Sequence, residues 1–295
     1  TLAYNPASIT RLEGNQLFAS AGAIVSNANF DVQYTTPRLG ENDGGNAGDT
    51  AAYGSMAYVH DFDSDKWSTG IALVPLAAAA LDYNDYWVGR NQATKVDLQV
   101  MALSPTIAYR VTDKLSVGAS LQAVYSNLNL HFAVPRILAN RPEGNGSING
   151  DDVLPGFTLG AMYELSERTR FGLSYQSELE PKFDGDLKTN PAGLQVSTDT
   201  KLPLGEYVRF SVHQAMDERW SVEFTTGWDN WSALGNVLVD TDNRSAGLAT
   251  SWKDTYHVAW GTEYKLDNHW TLTGGVAYDT NPVSDQNRNA QLPVD

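Results

Sequence analysis

The sequence predicts an all-β fold, a transmembrane antiparallel β-barrel. Three features carry that prediction: large apolar residues alternating with small or polar ones, short polar turns alternating with long polar loops, and runs of about ten residues between them. The stretch FTLGAMYELSERTRFGLSY (157–175) holds the pattern in miniature. Phe157, Leu159, Ala161, Tyr163 and Leu165 occupy every second position, polar residues turn the chain, and Phe171, Leu173 and Tyr175 resume. Successive strand side chains point to opposite faces, so this is a hairpin with one greasy face.

Taken in order, strands are expected at 17–26, 51–61, 67–75, 97–111, 115–132, 156–165, 169–180, 206–215, 220–231, 254–264 and 270–280. Five short turns join them in pairs: DFDSDK (61–66), VTDK (111–114), LSERT (165–169), AMDER (215–219) and LDNH (266–269). Their centres lie about 50 residues apart, the spacing of a recurring strand, short turn, strand and long loop. The long connections are rich in Gly, Asn, Asp and Pro, as in TPRLGENDGGNAGDT, ANRPEGNGSINGDD and VDTDNRSAGLATS.

From residue 107 onward the greasy face reads Ile107, Tyr109, Val111, then Leu115, Val117, Leu121, Tyr125. It continues through Val208, Phe210, Val212, Val222, Phe224, Trp228, Tyr256, Val258, Trp260, Tyr264, Leu272, Val276 and Tyr278. The opposite face carries Thr106, Arg110, Ser116, Ser120, Gln122, Glu223, Thr225, His257, Glu263 and Thr273. Aromatics gather toward strand ends. In a membrane barrel the outward face meets hydrocarbon, aromatic girdles sit at both interfaces and the lumen is polar. The alternative is a soluble β-propeller or sandwich that binds ligands through its long loops, its greasy face being an ordinary core. A propeller needs four strands per repeat, whereas this chain shows two.

Bacterial single-chain barrels have even strand numbers, and an unpaired sheet edge is not tolerated in lipid. Eleven expected strands followed by the loop DTNPVSDQNRNAQLPVD therefore predict further strands beyond the C-terminus. The start at TLAYNP, with no initiator Met, predicts a processed or trimmed N-terminus. The 35 acids against 20 bases give a net charge of −15, which disfavours nucleic acid. The absence of cysteine removes disulfides, thiolate metal sites and cysteine nucleophiles. No apolar run approaches the roughly 18 residues of a membrane helix; the longest, IALVPLAAAAL (71–81), contains Pro75. The five histidines sit in no HxxE or HxH spacing and no Ser-His constellation, so neither an enzyme, a metal site nor a cofactor is expected.

Several segments resemble the FadL-type family of outer-membrane transporters for long-chain fatty acids and other hydrophobic molecules. LAYNPAS (2–8), WSTGIALVPLAAAALDY (67–83), SVGASLQAVYSNLNL (116–130), LPLGEY (202–207), WDNWS (228–232), the run 252–283 and QNR (286–288) follow in family order. The resemblance implies a bacterial outer-membrane, multi-pass barrel of about 14 strands with an N-terminal plug in its lumen. Residues 1–16 would then be the end of the plug, most of it lying before Thr1, and 17–295 a partial barrel. Asn5, Pro6 and Ala7 belong to the plug on this reading, and to plain turn chemistry otherwise. The family captures a hydrophobic ligand at outer loops, passes it to an internal pocket and releases it sideways beside a kinked third strand. Pro75 is the expected kink, or else a simple strand terminus.

In fatty-acid members, basic residues pair with the ligand carboxylate. Here the strand end reads YSNLNLHF, with His131 and Phe132 where a charged pair is expected, and Leu248 stands where a Lys is expected. Arg136, Arg244 and Lys253 are the alternative anchors, or solvated loop charges. Phe132, Val134, Ile137 and Leu138 form an apolar patch suited to a capture groove or to packing on the barrel mouth. Fatty acids and neutral monoaromatic hydrocarbons both remain candidates. Outer-membrane lipid and lipopolysaccharide are the expected surroundings, and a monomer the expected state.

Overall fold

The computed structural model describes residues 4–32, 35, 39–62, 64, 66–134, 143–190, 194–241, 244–249, 251–284 and 287, with backbone alone for most of 184–198 and 235–249. The chain begins with a 3₁₀ turn, Pro6–Arg11. The strands that follow are β1 (Gln16–Val25), β2 (Thr50–Asp61), β3 (Trp67–Asp82), β4 (Lys95–Arg110), β5 (Leu115–Val134), β6 (Gly144–Glu164) and β7 (Thr169–Gln176). Next come β8 (Lys182–Asn190), β9 (Leu194–Lys201), β10 (Tyr207–Ala215), β11 (Trp220–Asp229), β12 (Asn236–Thr241), β13 (Arg244–Ala249), β14 (Thr255–Lys265) and β15 (Thr271–Asp279). One antiparallel sheet runs β1-β2-β3-β4-β5-β6-β7-β10-β11-β14-β15. β1 and β15 are its edges, and no pairing among the described residues joins them.

The eleven strands of that path are those expected from alternation, and two regions differ. β3 runs on past Pro75 to Asp82, so Pro75 is not a strand terminus. The polar stretches read as loops contain the first half of β6, the hairpin β8–β9 and the hairpin β12–β13. β8 pairs with the outer end of β6, and β9 with β12, so the sheet continues as a raised rim. Sequences such as NGSINGDD lack alternation because neither face of such a strand meets lipid or a thick core.

The facing of the strands follows the alternation. Leu121 is 70% exposed while its neighbour Gln122 is 5% exposed. Along β5 the outward face stays apolar from Leu115 to Tyr125 and turns polar at Asn127, Asn129 and His131. The same switch falls at Gln99 on β4 and Asp151 on β6, which pair with Asn127 in register. At the other end, Trp67 packs on Tyr109 with ring centroids 4.4 Å apart, and Trp220 faces Tyr264. Eleven tilted strand residues rise about 25 Å, the height of the apolar band that a barrel shows to hydrocarbon.

The inward face divides by height. In the inner half it is polar: Ser104, Thr106, Ser116, Ser120, Thr158 and Gln176 are buried. Thr106 and Ser120 share a hydrogen bond of 2.6 Å, and Thr158 donates to Gln176 Oε1 at 2.6 Å. In the outer half Leu98, Val100, Ala102, Val124, Leu128, Leu179, Phe183 and Trp252 form one buried cluster. Farther out, Tyr83 and Trp87 stack with centroids 4.0 Å apart, and Trp87 Nε1 donates to the Ala93 carbonyl at 2.8 Å. Burial pushes the Tyr83 phenol well above its ordinary range.

Candidate functional site

The 3₁₀ turn sits inside the polar half, on the concave face of the sheet. Asn5 caps it: its Oδ1 accepts from Ala7 N at 3.0 Å, and its Nδ2 donates to the carbonyls of Ala161 on β6 and Leu173 on β7 at 3.1 and 3.3 Å. Backbone can approach this closely because β6 carries Gly160, where a Cβ would stand 2.1 Å from Asn5 Oδ1. Ile9 is fully buried against Val59, Ala72 and Ala108 of β2, β3 and β4. Thr10 Oγ1 donates to Ser116 Oγ at 3.0 Å, Arg110 donates to the Thr10 carbonyl at 2.7 Å, and Arg11 pairs with Glu164. The turn and its cap are thus held by six strands of the wall, β2 to β7.

Outward of it lies a cavity of 520 Å³, within the size range of small-molecule pockets. Its walls come from Tyr4, from Tyr53 and Ser55 of β2, from Val74–Ala77 of β3, and from Leu204, Tyr207, Arg209, Asp229 and Trp231 across the lumen. On the β3 side the sheet is split. β2 and β3 pair from Asp61↔Ser68 up to Met56↔Leu73 and no farther, meeting again only at the isolated bridge Gly48↔Leu81. Between these limits residues 49–55 face residues 74–80 without ladder pairing.

Pro75 and Leu76 explain the split. Pro75 has no N–H to offer a neighbour. The β3–β4 register shifts between Pro75 and Ala77, a bulge that leaves Leu76 extra and exchanges inner and outer positions along β3. Before it Ala72 faces inward; after it Ala77, Ala79 and Leu81 do. The outer faces of the two flanks are small and uncharged there, Ala52 and Gly54 on one and Ala78 and Ala80 on the other. Backbone without ladder partners is tolerated at membrane depth only where it lines a cavity, as it does here.

Of the residues expected at the site, the structure brings Pro75 to the cavity wall and Asn5, Pro6 and Ala7 into the lumen below it. Phe132 and Val134 lie at the outer end of β5, away from the cavity walls; Phe132 covers Gly146 of β6. Lys253 is exposed, with its N–H donating to the Pro282 carbonyl at 2.8 Å. Arg244 and Leu248 belong to β13, and Arg136, Ile137 and Leu138 lie outside the described residues. The cation that does line the cavity, Arg209, was readable from alternation: it stands between the outward Val208 and Phe210. Asp229 and Trp231 belong to or adjoin the WDNWS segment. His257 bonds Asp279, its register partner, at 2.8 Å. No grouping of His, Asp and Glu among the described residues could hold a metal ion.

At the outer end of the lumen, Trp231 packs on Trp252 with centroids 5.5 Å apart. Asp254 accepts from Trp228 Nε1 at 3.0 Å and from the Ser232 backbone N–H at 3.2 Å. Bonds from Ser232 and Trp228 hold its carboxyl below the ordinary value.

The sequence profile of the family described as outer membrane protein transport protein (OMPP1/FadL/TodX) matches residues 1–295. The chain belongs to this family. It is a bacterial outer-membrane β-barrel protein for the transport of hydrophobic compounds, in a family that is not enzymatic. The soluble propeller or sandwich is thereby set aside, and the exposed apolar band has its cause. The chain is 26% identical to the long-chain fatty acid transport protein of Escherichia coli O157:H7 over 333 aligned positions, covering 98% of this chain and 74% of that protein. A Pseudomonas aeruginosa FadL homologue shares the fold with a TM-score of 0.82 at 21% identity, covering 97% of this chain and 76% of that one. The Ralstonia pickettii toluene transporter TbuX does so with a TM-score of 0.72 at 20% identity, covering 95% and 81%.

Proposed function

We propose that the protein moves hydrophobic molecules passively, by capture at the outer rim, residence in the 520 Å³ cavity and sideways exit between β2 and β3 beside Pro75. The observation that carries this reading is the coincidence of the cavity with the split: Tyr53, Ser55 and Val74–Ala77 line both. A greasy solute loses roughly 25 cal/mol per Å² of apolar surface returned to water, so a lateral route into lipid avoids a barrier that an axial route would meet. Residues 1–16 act as the end of a plug, supported by the docking of Asn5 and Ile9 below the cavity. Relatives named for long-chain fatty acids and for toluene make both classes reasonable cargo, and the protein works as a monomer in outer-membrane lipid and lipopolysaccharide.

The chain has no cysteine, which makes a cross-link clean. Ser55→Cys with Val74→Cys puts two thiols on facing flanks, one position above Met56↔Leu73. Uptake of labelled toluene by cells carrying the oxidised protein should fall at least tenfold and return on reduction. Undiminished uptake through protein shown by mass to be cross-linked contradicts lateral exit.

A further inference from the structure

We propose that Asp229, by neutralising Arg209, denies the cavity a carboxylate anchor, so that it selects uncharged hydrophobes over carboxylates. This deepens the proposed function and rests on the cavity being the internal binding pocket.

Arg209 stands on β10 with Gly227 of β11 as its register partner. Its side chain lies flat across that glycine, where a Cβ would come within 2.5 Å of Cδ and 2.7 Å of Nη1. The bare position lets the guanidinium reach two pairs farther along β11. There Nη2 donates to both oxygens of Asp229 at 2.7 and 2.9 Å. Nη1 donates to the carbonyls of Val208 and Trp228, each at 3.2 Å, and the guanidinium carbon sits 4.9 Å from the centroid of the Tyr207 ring. The side chains are only 23% and 14% exposed.

Arg209 is the one cation among the described residues of the cavity wall, and both of its terminal nitrogens are already engaged. A ligand carboxylate could take Nη2 only by displacing Asp229, and any approach to the remaining Nε–H would set a second carboxylate beside Asp229 in the same half-buried place. An alcohol or hydrocarbon meets a wall of no net charge, with Ser55, Gln176 and Ser177 present for a hydroxyl. The chain's charge of −15 acts in the same direction on an approaching anion.

Oleate and oleyl alcohol test this, since they share a hydrocarbon tail and differ in charge. Their binding is measured with radiolabel to the full chain in lipid nanodiscs at neutral pH. The native protein should bind the alcohol at least tenfold more tightly than oleate. Asp229→Asn frees the guanidinium and should raise oleate affinity at least tenfold while moving the alcohol less than twofold. Arg209→Gln with Asp229→Asn removes both charges and should keep the native preference, which preserves the test if the single variant does not fold. An oleate preference in the native protein, or its loss in the double variant, overturns the inference by making Arg209 an anchor. Leu76→Trp fills the cavity and separates the two readings. If it leaves both ligands bound as before, the pocket itself is misplaced and this inference falls with it. If it blocks both while Asp229→Asn changes nothing, only the selectivity is wrong.

Discussion

The two halves of the lumen are built on opposite principles although the same strands line both. β4 passes from Val96, Leu98, Val100 and Ala102 to Ser104, Thr106 and Ala108 on one inward face, and β5 mirrors it from Leu128 and Val124 to Gln122, Ser120 and Ser116. The inner half is closed by directed hydrogen bonds such as Thr106–Ser120 and Thr158–Gln176, the N-terminal turn adds Thr10–Ser116, and among the described residues the Ser104 hydroxyl is the buried one there left without a partner. The outer half is closed by apolar contact, which is undirected and accepts another greasy molecule without leaving a polar group unpaired. On the proposed route the hydrogen-bonded inner half would be the seal and the outer half would receive the cargo. The split between β2 and β3 opens from the outer half.

The contrast can be broken most severely by placing a carboxylate in each half. Val100→Asp buries a charge among Leu98, Val124 and Leu128 and should cost at least about 3 kcal/mol. Ser104→Asp, four residues inward along β4, should cost clearly less, both read from unfolding in urea with lipid vesicles present. Next in size is Gly160→Ala, which drives a methyl against Asn5 and should cost about 1–3 kcal/mol and raise ion leak through planar bilayers. Gly274→Ala on β15, where a Cβ meets nothing within 4 Å, should do neither. Deleting Leu76 removes the bulge, restores one register along β3 and should lower toluene uptake about tenfold, equivalent to about 1.4 kcal/mol, with little change in unfolding.

The smallest effect concerns Asp254 at the outer rim. Its folded carboxyl lies below the unfolded value of about 3.9, so its stabilisation is full above about pH 5 and fades as pH falls through the folded value. Asp254→Asn should therefore lower the stability slightly at pH 7, by under about 1 kcal/mol, and the gap from the native protein should close toward pH 3.

The barrel strands were legible because lipid on one side and a lumen on the other impose alternation on every residue, as in Leu121 and Gln122. The rim was not, because β8, β9, β12 and β13 are short strands held by pairing with one another and with the outer end of β6, and pairing leaves no mark on composition. Asn5 could be placed through a local motif; its partners could not, since Gly160 and Leu173 are joined to it only by the fold. Pro75 pointed to an interruption, but its meaning depends on where β2 stops pairing. Arg209 shows the limit most clearly. Alternation puts it inward, yet the absence of a free charge follows from Gly227 and Asp229, which only the β10–β11 register sets beside it.

The central claim is that a hydrophobic passenger occupies the cavity beside the β2–β3 split and leaves through the side without passing Ser104, Thr106, Ser116 and Ser120 of the inner half. A diazirine-bearing fatty alcohol, photolysed on the protein in bilayers and mapped by mass spectrometry, tests it directly. The account predicts adducts on Tyr53 and on Val74–Ala77, with none on Ser104, Thr106, Ser116 or Ser120. Adducts on those four residues, with the β2–β3 flanks unlabelled, would contradict it and make the passage axial.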